Sequence, residues 1–170
     1  GITSWIQMYF ERIVEKKQKK VGTIFQNFSL FVYGGVNFQP YERKFKSLIG
    51  RKIDSIELFP ASEGFYAFQD RQESKDLLLI LNDGIFYEFI EEKKYHLNVF
   101  DRIPIAEVCL NTNYVLIVST NAGLWAYNTG DTIKFTSLNP YRVIVTGRVA
   151  QFLSAFGEHV IVKEVELAIE

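Results

Sequence analysis

The chain has 170 residues, of which 48% are hydrophobic and 23% charged, the balance of a globular domain rather than of a disordered or low-complexity polypeptide. A formal net charge of -1 lacks the basic excess of a nucleic-acid-binding face, and no run of about eighteen apolar residues reads as a membrane span. The single Cys109 excludes an intrachain disulfide, and His96 and His159 lie too far apart to suggest a His-rich metal site, so the expected setting is reducing and cytoplasmic, with neither nucleic acid nor membrane as partner.

In chain order, Trp5, Tyr9 and Ile13, together with Ile6, Phe10 and Val14, recur at helical spacing and predict an amphipathic helix from Ser4 to about Lys20. The lysines of "EKKQKK" fall in its last turn, where they complement the dipole. "NFSLFVYGG" reads as a buried strand opening into a glycine turn at Gly34 and Gly35. Pro40 then suits the first turn of a second helix, with Tyr41, Phe45, Leu48 and Ile49 on its apolar face. "KIDSIELF" alternates as a strand from Ile53 to Phe59 and stops at Pro60. Helix, strand, helix, strand implies an α/β fold with parallel strands, and ligands in such sheets collect at the carboxyl ends of strands.

From Asp76 onward the pattern changes to short runs separated by turn residues. "DLLLILN", "GIFYEFI", "YVLIVST", "GLWAYN", "DTIKFTS" and "YRVIVTG" predict a curved antiparallel sheet or partial barrel. A last helix is expected from about Lys163. The sequence starts without Met and looks like a cut made inside a longer protein.

Three places carry candidate chemistry. In "FPASEG", Ser62 and the turn amides suit phosphate oxygens, Glu63 suits a Mg2+ ion and Phe59 could lie against a heterocycle; a tight turn satisfied by Ser62 explains the same residues. In "WAYNTGD", Asp131 could accept hydrogen bonds from both hydroxyls of a ribose, although a hairpin turn at "TGD" is equally consistent. Arg148, after Gly147, offers a fork of donors to phosphate or ribose oxygens, and a surface ion pair or a hinge residue would look alike. His159 has no visible acid partner. The phosphate loop "GxxxxGK[ST]", the "GxSxG" elbow, "CxxC" and "HExxH" are all missing.

"FVYGGVNFQPY", "FPASEGFYAFQD", "ILNDGIFYEFI", "LIVSTNAGLWAYNTGDTIKF" and "VTGRVAQFLSAFGEHV", in this order, resemble the bacterial branch of the auxin-responsive promoter family. Its plant members are acyl acid amido synthetases of the adenylate-forming superfamily. The resemblance implies an ATP-dependent ligase that adenylates a carboxylic acid and transfers the acyl group to an amine, an amino acid in the plant enzymes. Carried over by position, Gly34, Gly35 and Val36 would line the adenine pocket, Phe59 would stack on adenine and Ser62 would contact phosphate. Glu63 would hold Mg2+, Asp131 the ribose, and Arg148 would lie at the hinge before a small carboxyl-terminal domain. Phe65, Tyr66 and Phe68 would wall the acyl pocket.

The family's phosphate loop and late catalytic lysine have no counterpart here, and Asn128 replaces the Arg or Ser of the third motif. The resemblance therefore implies an internal fragment of the large domain that holds no catalytic residue of its own and is inactive without the amino- and carboxyl-terminal parts of its parent. Residues 1–75 would be the helix and strand portion, 76–146 the antiparallel portion, and 147–170 the hinge and the start of the small domain. A noncatalytic nucleotide or acyl-ligand binding module, and an inert truncated domain, are the alternatives.

Overall fold

The computed structural model describes residues 3–35, 38–149, 152–155 and 158–161, the last two segments by their backbone. The chain divides into two compact units, Gly1–Ile80 and Leu81–Glu170. No described helix is long and apolar enough to cross a membrane. The helix expected from Lys163 lies outside the described residues.

The first unit contains α1 (Thr3–Lys17), α2 (Val21–Ile24), β1 (Leu30–Gly34), α3 (Gln39–Ile49), β2 (Asp54–Pro60), β3 (Phe65–Phe68) and β4 (Leu77–Leu79). β1 and β2 pair in parallel from Leu30↔Asp54 to Gly34↔Leu58, with α3 as the crossover that a parallel return requires. The parallel pattern ends there. Only Ala61 to Gly64 separate β2 from β3, too few for a crossover, so the chain folds straight back and β3 pairs antiparallel with β2, as β4 does with β3.

The helices end where their local chemistry dictates. α3 carries Pro40 in its first turn, and Gly50 at φ 80 closes it by donating its N–H to the Lys46 carbonyl. α1 stops at Lys17, one turn short of the predicted end, and α2 follows as a separate short turn. Of the two apolar rows of α1, the Ile6 and Phe10 row packs on the core of Phe31, Tyr33, Phe45 and Ile49. Phe10 meets Phe28 at 5.8 Å and Phe45 at 5.5 Å between ring centroids. Trp5 and Tyr9 of the other row stay 62% and 55% exposed, so helical spacing alone did not decide which row is buried.

Arg51 locks the segment that feeds β1. Its Nη2 donates to the carbonyls of Gln26 (2.6 Å), Phe28 (2.7 Å) and Phe25 (3.3 Å), three acceptors that no strand partner takes up in those bonds. Hydrogen bonds from a charged donor contribute more than neutral ones, discounted here by exposure. Arg51→Ala is expected to destabilise the chain by about 1–2 kcal/mol, read from the shift of the urea unfolding midpoint.

The second unit contains β5 (Ile85–Glu91), α4 (Glu92–His96), β6 (Ile103–Pro104), a 3-10 turn (Ile105–Glu107), β7 (Asn113–Thr120), β8 (Tyr127–Leu138), β9 (Tyr141–Arg148), β10 (Phe152–Ala155) and β11 (Glu158–Ile161). Strands β6, β5, β7, β8 and β9 are neighbours in that order and every pair is antiparallel. β10 and β11 form a separate antiparallel hairpin. Phe89, Leu116, Ile133, Phe135 and Val143 are fully buried, and the Phe89 and Phe135 rings meet edge to face at 5.2 Å.

Two sequence expectations need correction in this unit. "GLWAYN" and "DTIKFTS" are not two strands with a hairpin turn between them: β8 runs unbroken from Tyr127 to Leu138, and the segment before it, with Trp125 84% exposed, is irregular. Gly147 and Arg148 do not follow a strand, because they form the end of β9. In both places the glycine bends a paired strand instead of ending it, as β-bulge glycines do.

Candidate functional site

In the first unit the carboxyl ends of β1 and β2 lie side by side, which brings the "YGG" and "ASEG" turns to one edge. A Cβ on Gly34 would stand 2.4 Å from the Leu58 carbonyl oxygen and 3.1 Å from Pro60 Cδ, so only glycine fits where the two strands meet. Gly35 adopts φ 85 with no atom within 4 Å of where its Cβ would stand, a left-handed turn beside open space. Val36 lies outside the described residues.

Residues Ala61 to Gly64 form the tip of the β2–β3 hairpin, closed by the Ala61 N–H donating to the Gly64 carbonyl (2.8 Å). Ser62 is exposed and Glu63 half-buried at this tip. Phe59 is only 7% exposed and its ring meets the fully buried Tyr66 edge to face at 5.1 Å. Phe65 is exposed and Phe68 half-buried. Thus Gly34, Gly35, Ser62 and Glu63 reach the surface of one strand edge, while Phe59 and Tyr66 sit in the core beneath it.

Among the described residues no three His, Cys, Asp or Glu side chains gather into a metal site. Mg2+ is ordinarily held by one or two carboxylates together with substrate phosphates, so a carboxylate at a hairpin tip fits that mode and not an all-protein cage. An apolar cavity of about 880 Å3, lined by Phe10, Ile24, Phe25, Phe28, Phe31 and Val32 among others, also belongs to this unit. None of the sequence-predicted site residues lines it.

A pair of titratable groups that the sequence does not single out joins β1 and β2 at the register pair Tyr33↔Glu57. Tyr33 Oη stands 3.5 Å from Glu57 Oε2, and burial pushes the Glu57 carboxyl above its usual range. Burial first, and the facing Glu57 second, push the Tyr33 phenol up to about 12. The folded chain therefore favours both groups protonated. The Glu57 contribution is complete in acid and is lost as pH rises through its raised value; that of Tyr33 is complete below about 10 and is lost as pH rises towards 12. Glu57→Gln is expected to raise the thermal midpoint at neutral pH, with the gain vanishing in acid, measured by calorimetric melts across pH.

In the second unit, Asp131 and Arg148 stand opposite each other on β8 and β9, and Arg148 Nε is 2.9 Å from Asp131 Oδ1. The Asp131 side chain is 16% exposed and that of Arg148 60%. Arg148 also donates to the Thr129 carbonyl (2.9 Å), so one guanidinium holds both a side chain and the backbone of the same turn. Both residues stand out in the sequence but their pairing does not, because β-strand register joins positions far apart in the chain.

What sequence reading missed is how Asp131 is presented. Between the pairs Ile117↔Asn128 and Val115↔Thr132, Leu116 alone faces Thr129, Gly130 and Asp131, a bulge with Gly130 at φ 76. Its backbone is satisfied by neighbours instead of the ladder. The Gly130 N–H donates to Asn128 Oδ1 (2.9 Å) and the Asp131 N–H to Thr129 Oγ1 (3.1 Å), while the Thr129 hydroxyl donates to the Leu116 carbonyl (3.0 Å). The Val149 N–H donates to the Gly130 carbonyl (2.8 Å). The "NTGD" run is the signal that could have revealed this, since Asn and Thr favour such local bonds. His96 is exposed on α4, and His159 is described only as the backbone partner of Ser154.

Residues 78–148 match the family model of the GH3 family central domain. Among solved structures, the chain is similar to the GH3.15 acyl acid amido synthetase, with a TM-score of 0.55 and 20% identity over 78% of this chain and 23% of that one. The AtGH3.15 acyl acid amido synthetase in complex with 2,4-DB gives a TM-score of 0.55 and 19% identity, over 78% and 22% of the two chains. IdnL1 gives a TM-score of 0.53 at 11% identity, covering 96% of this chain and 41% of that one. These likenesses establish a shared fold, and the chain spans about a quarter of the length of the two synthetases. No curated protein sequence matches it. Residues 78–148 are thus similar to the central domain of the GH3 family, the auxin-responsive promoter family that the motifs resemble.

Proposed function

We propose that this chain is the nucleotide-handling part of an ATP-dependent acyl acid amido synthetase, which adenylates a small carboxylic acid and passes the acyl group to an amine, an amino acid in the fullest form of the proposal. The observation that carries it is Asp131, held on a pre-bonded bulge inside the segment that matches the family. A carboxylate so fixed accepts both hydroxyls of a ribose without first being ordered, which removes an entropy cost from binding.

Each residue then has a task within its own unit. Asp131 accepts the ribose hydroxyls, and Arg148, its side chain 60% exposed and its Nη1 outside the bonds to Asp131 and Thr129 described above, has donors for ribose or phosphate oxygens and stands where the hinge would begin. In the first unit Gly34 and Gly35 offer backbone to the adenine, and Phe59, whose ring is buried against Tyr66, supports that edge from the core instead of stacking on the base. Ser62 and the hairpin amides meet phosphate oxygens. Phe65, exposed, and Phe68, half-buried, are the proposed wall for the acid; Tyr66, assigned to that wall by position, is fully buried and can only back it from the core.

Glu63 would be the protein's ligand to Mg2+, which when bound neutralises phosphate charge. ATP and AMP are thus the proposed nucleotide ligands. No covalent nucleophile of the protein is needed: the substrate carboxylate attacks the α-phosphate and pyrophosphate leaves, after which the amine attacks the activated carbonyl, the acyl–phosphate bond breaks to release AMP, and the amine gives up a proton. The chain's contribution is positioning and charge stabilisation.

The test is calorimetric titration of this chain with AMP, and with ATP and Mg2+, followed by pyrophosphate release from the full-length protein with a panel of carboxylic acids. Saturable binding and acid-dependent release are expected. A full-length protein that binds AMP but releases no pyrophosphate with any acid would favour a noncatalytic nucleotide-binding role.

A further inference from the structure

We infer that Tyr95 is a positioning residue for Asp131, acting through Asn128, an inference that rests on the reading of Asp131 as the ribose-binding carboxylate. Asn128 stands where the family motif carries another residue, and the structure gives it a task. Its Oδ1 accepts the Gly130 N–H at 2.9 Å while its Nδ2 donates to the Tyr95 hydroxyl at 3.0 Å.

These two bonds depend on each other. An amide side chain can present either end to a neighbour, and Asn128 is exposed, so water competes for both ends. A phenol oxygen placed to accept from Nδ2 fixes which end faces Gly130. The acceptor Oδ1 is then held at the Gly130 N–H, on the residue just before Asp131, in a turn that the β7 ladder does not support. Thr129 secures the Asp131 N–H from the buried side, and Asn128 secures Gly130 from the exposed side.

Tyr95 suits this role because its ring is anchored independently of its hydroxyl. It packs against the cluster of Ile90, Val115 and Ile117, and its ring meets Phe100 edge to face at 5.2 Å. α4, which carries it, is tied to β7 by the Asn113 Nδ2 bond to Glu92 Oε2 (3.0 Å). The hydroxyl is therefore placed by packing beside an exposed side chain. Removing that oxygen alone leaves the packing in place and frees Asn128 to rotate.

The experiment is titration of the chain and its variants with AMP and with 2′,3′-dideoxy-AMP, which lacks the diol. Tyr95→Phe is expected to weaken AMP about 5-fold, the worth of one hydrogen bond, and to change the dideoxy analogue by less than about 2-fold. Asn128→Ala should weaken AMP to a similar degree, and the double variant should bind no worse than Asn128→Ala alone, because both act on one thread. Equal loss for both ligands, or additive losses in the double variant, would overturn the positioning role. Should Tyr95→Phe fail to fold, Asn128→Ser decides the matter: it keeps a hydroxyl for Gly130 but cannot span to Tyr95, and wild-type AMP affinity in it overturns the proposal. Loss of AMP binding in Asp131→Ala with no effect of Tyr95→Phe defeats only this inference. AMP affinity unchanged in Asp131→Ala, or no AMP binding by the unmodified chain, defeats the ribose reading and this inference with it.

Discussion

Asp131→Ala is expected to lower AMP affinity by about 100-fold or more while the chain stays folded. Two hydroxyls donating to one carboxylate are each worth about 1.5–3 kcal/mol, and about 1.4 kcal/mol is tenfold in affinity. The sum is discounted because Asp131 already pairs with Arg148 in the unliganded chain, and that bond must be shared or released. Stability should change by less than about 1 kcal/mol, since Arg148 is largely exposed and exposed pairs contribute little. The bulge itself is held by Asn128, Thr129 and the Val149 N–H, none of which needs the Asp131 carboxylate. Isothermal titration alongside a thermal melt separates the two effects. Unchanged affinity in a folded variant would remove Asp131 from the nucleotide site.

The second large effect is expected in the first unit. Gly34→Ala would place a methyl carbon 2.4 Å from the Leu58 carbonyl oxygen, a backbone atom that cannot rotate away. Either the β1–β2 pair spreads or its register slips, and overpacking of this kind costs about 3 kcal/mol or more when backbone must move. Pro60, 3.1 Å from the same point, would be displaced with Leu58, and the hairpin carrying Ser62 and Glu63 follows Pro60. Gly35→Ala is the contrast: nothing blocks its methyl group, and the expected cost is about 1 kcal/mol for the left-handed backbone. Urea unfolding of the two variants checks the ranking. A Gly34→Ala chain within about 0.5 kcal/mol of the original would mean that the strands can separate there without loss.

Much of this was legible in the residues because it rests on local chemistry. Alternation, helical spacing, Pro40 at a helix start and the glycine turns are short-range signals, and they placed α1, α3, β1, β2 and most of the antiparallel strands. The parallel β1–β2 pair followed from the intervening helix. Where the residues pointed both ways, as at "NTGD", the fold chose: a glycine within a strand and a glycine between strands look the same until the partner strand is known. β7 and β9, paired on either side of β8, carry it through Gly130 as a bulge.

The composition of the site is written in the residues: a hydroxyl and a carboxylate at one turn, a carboxylate and an arginine at another, in an order that resembles a family's motifs. Which of them meet depends on the folded chain. Asp131 and Arg148 become a pair through strand register, and Tyr95 reaches Asn128 because α4 packs on β7. Burial, likewise, was decided by packing: Phe59 and Tyr66 went into the core while Trp5 and Tyr9 stayed outside. The reason is that spacing along the chain fixes the face a residue shares with its neighbours, whereas what covers that face is set by residues brought from far away.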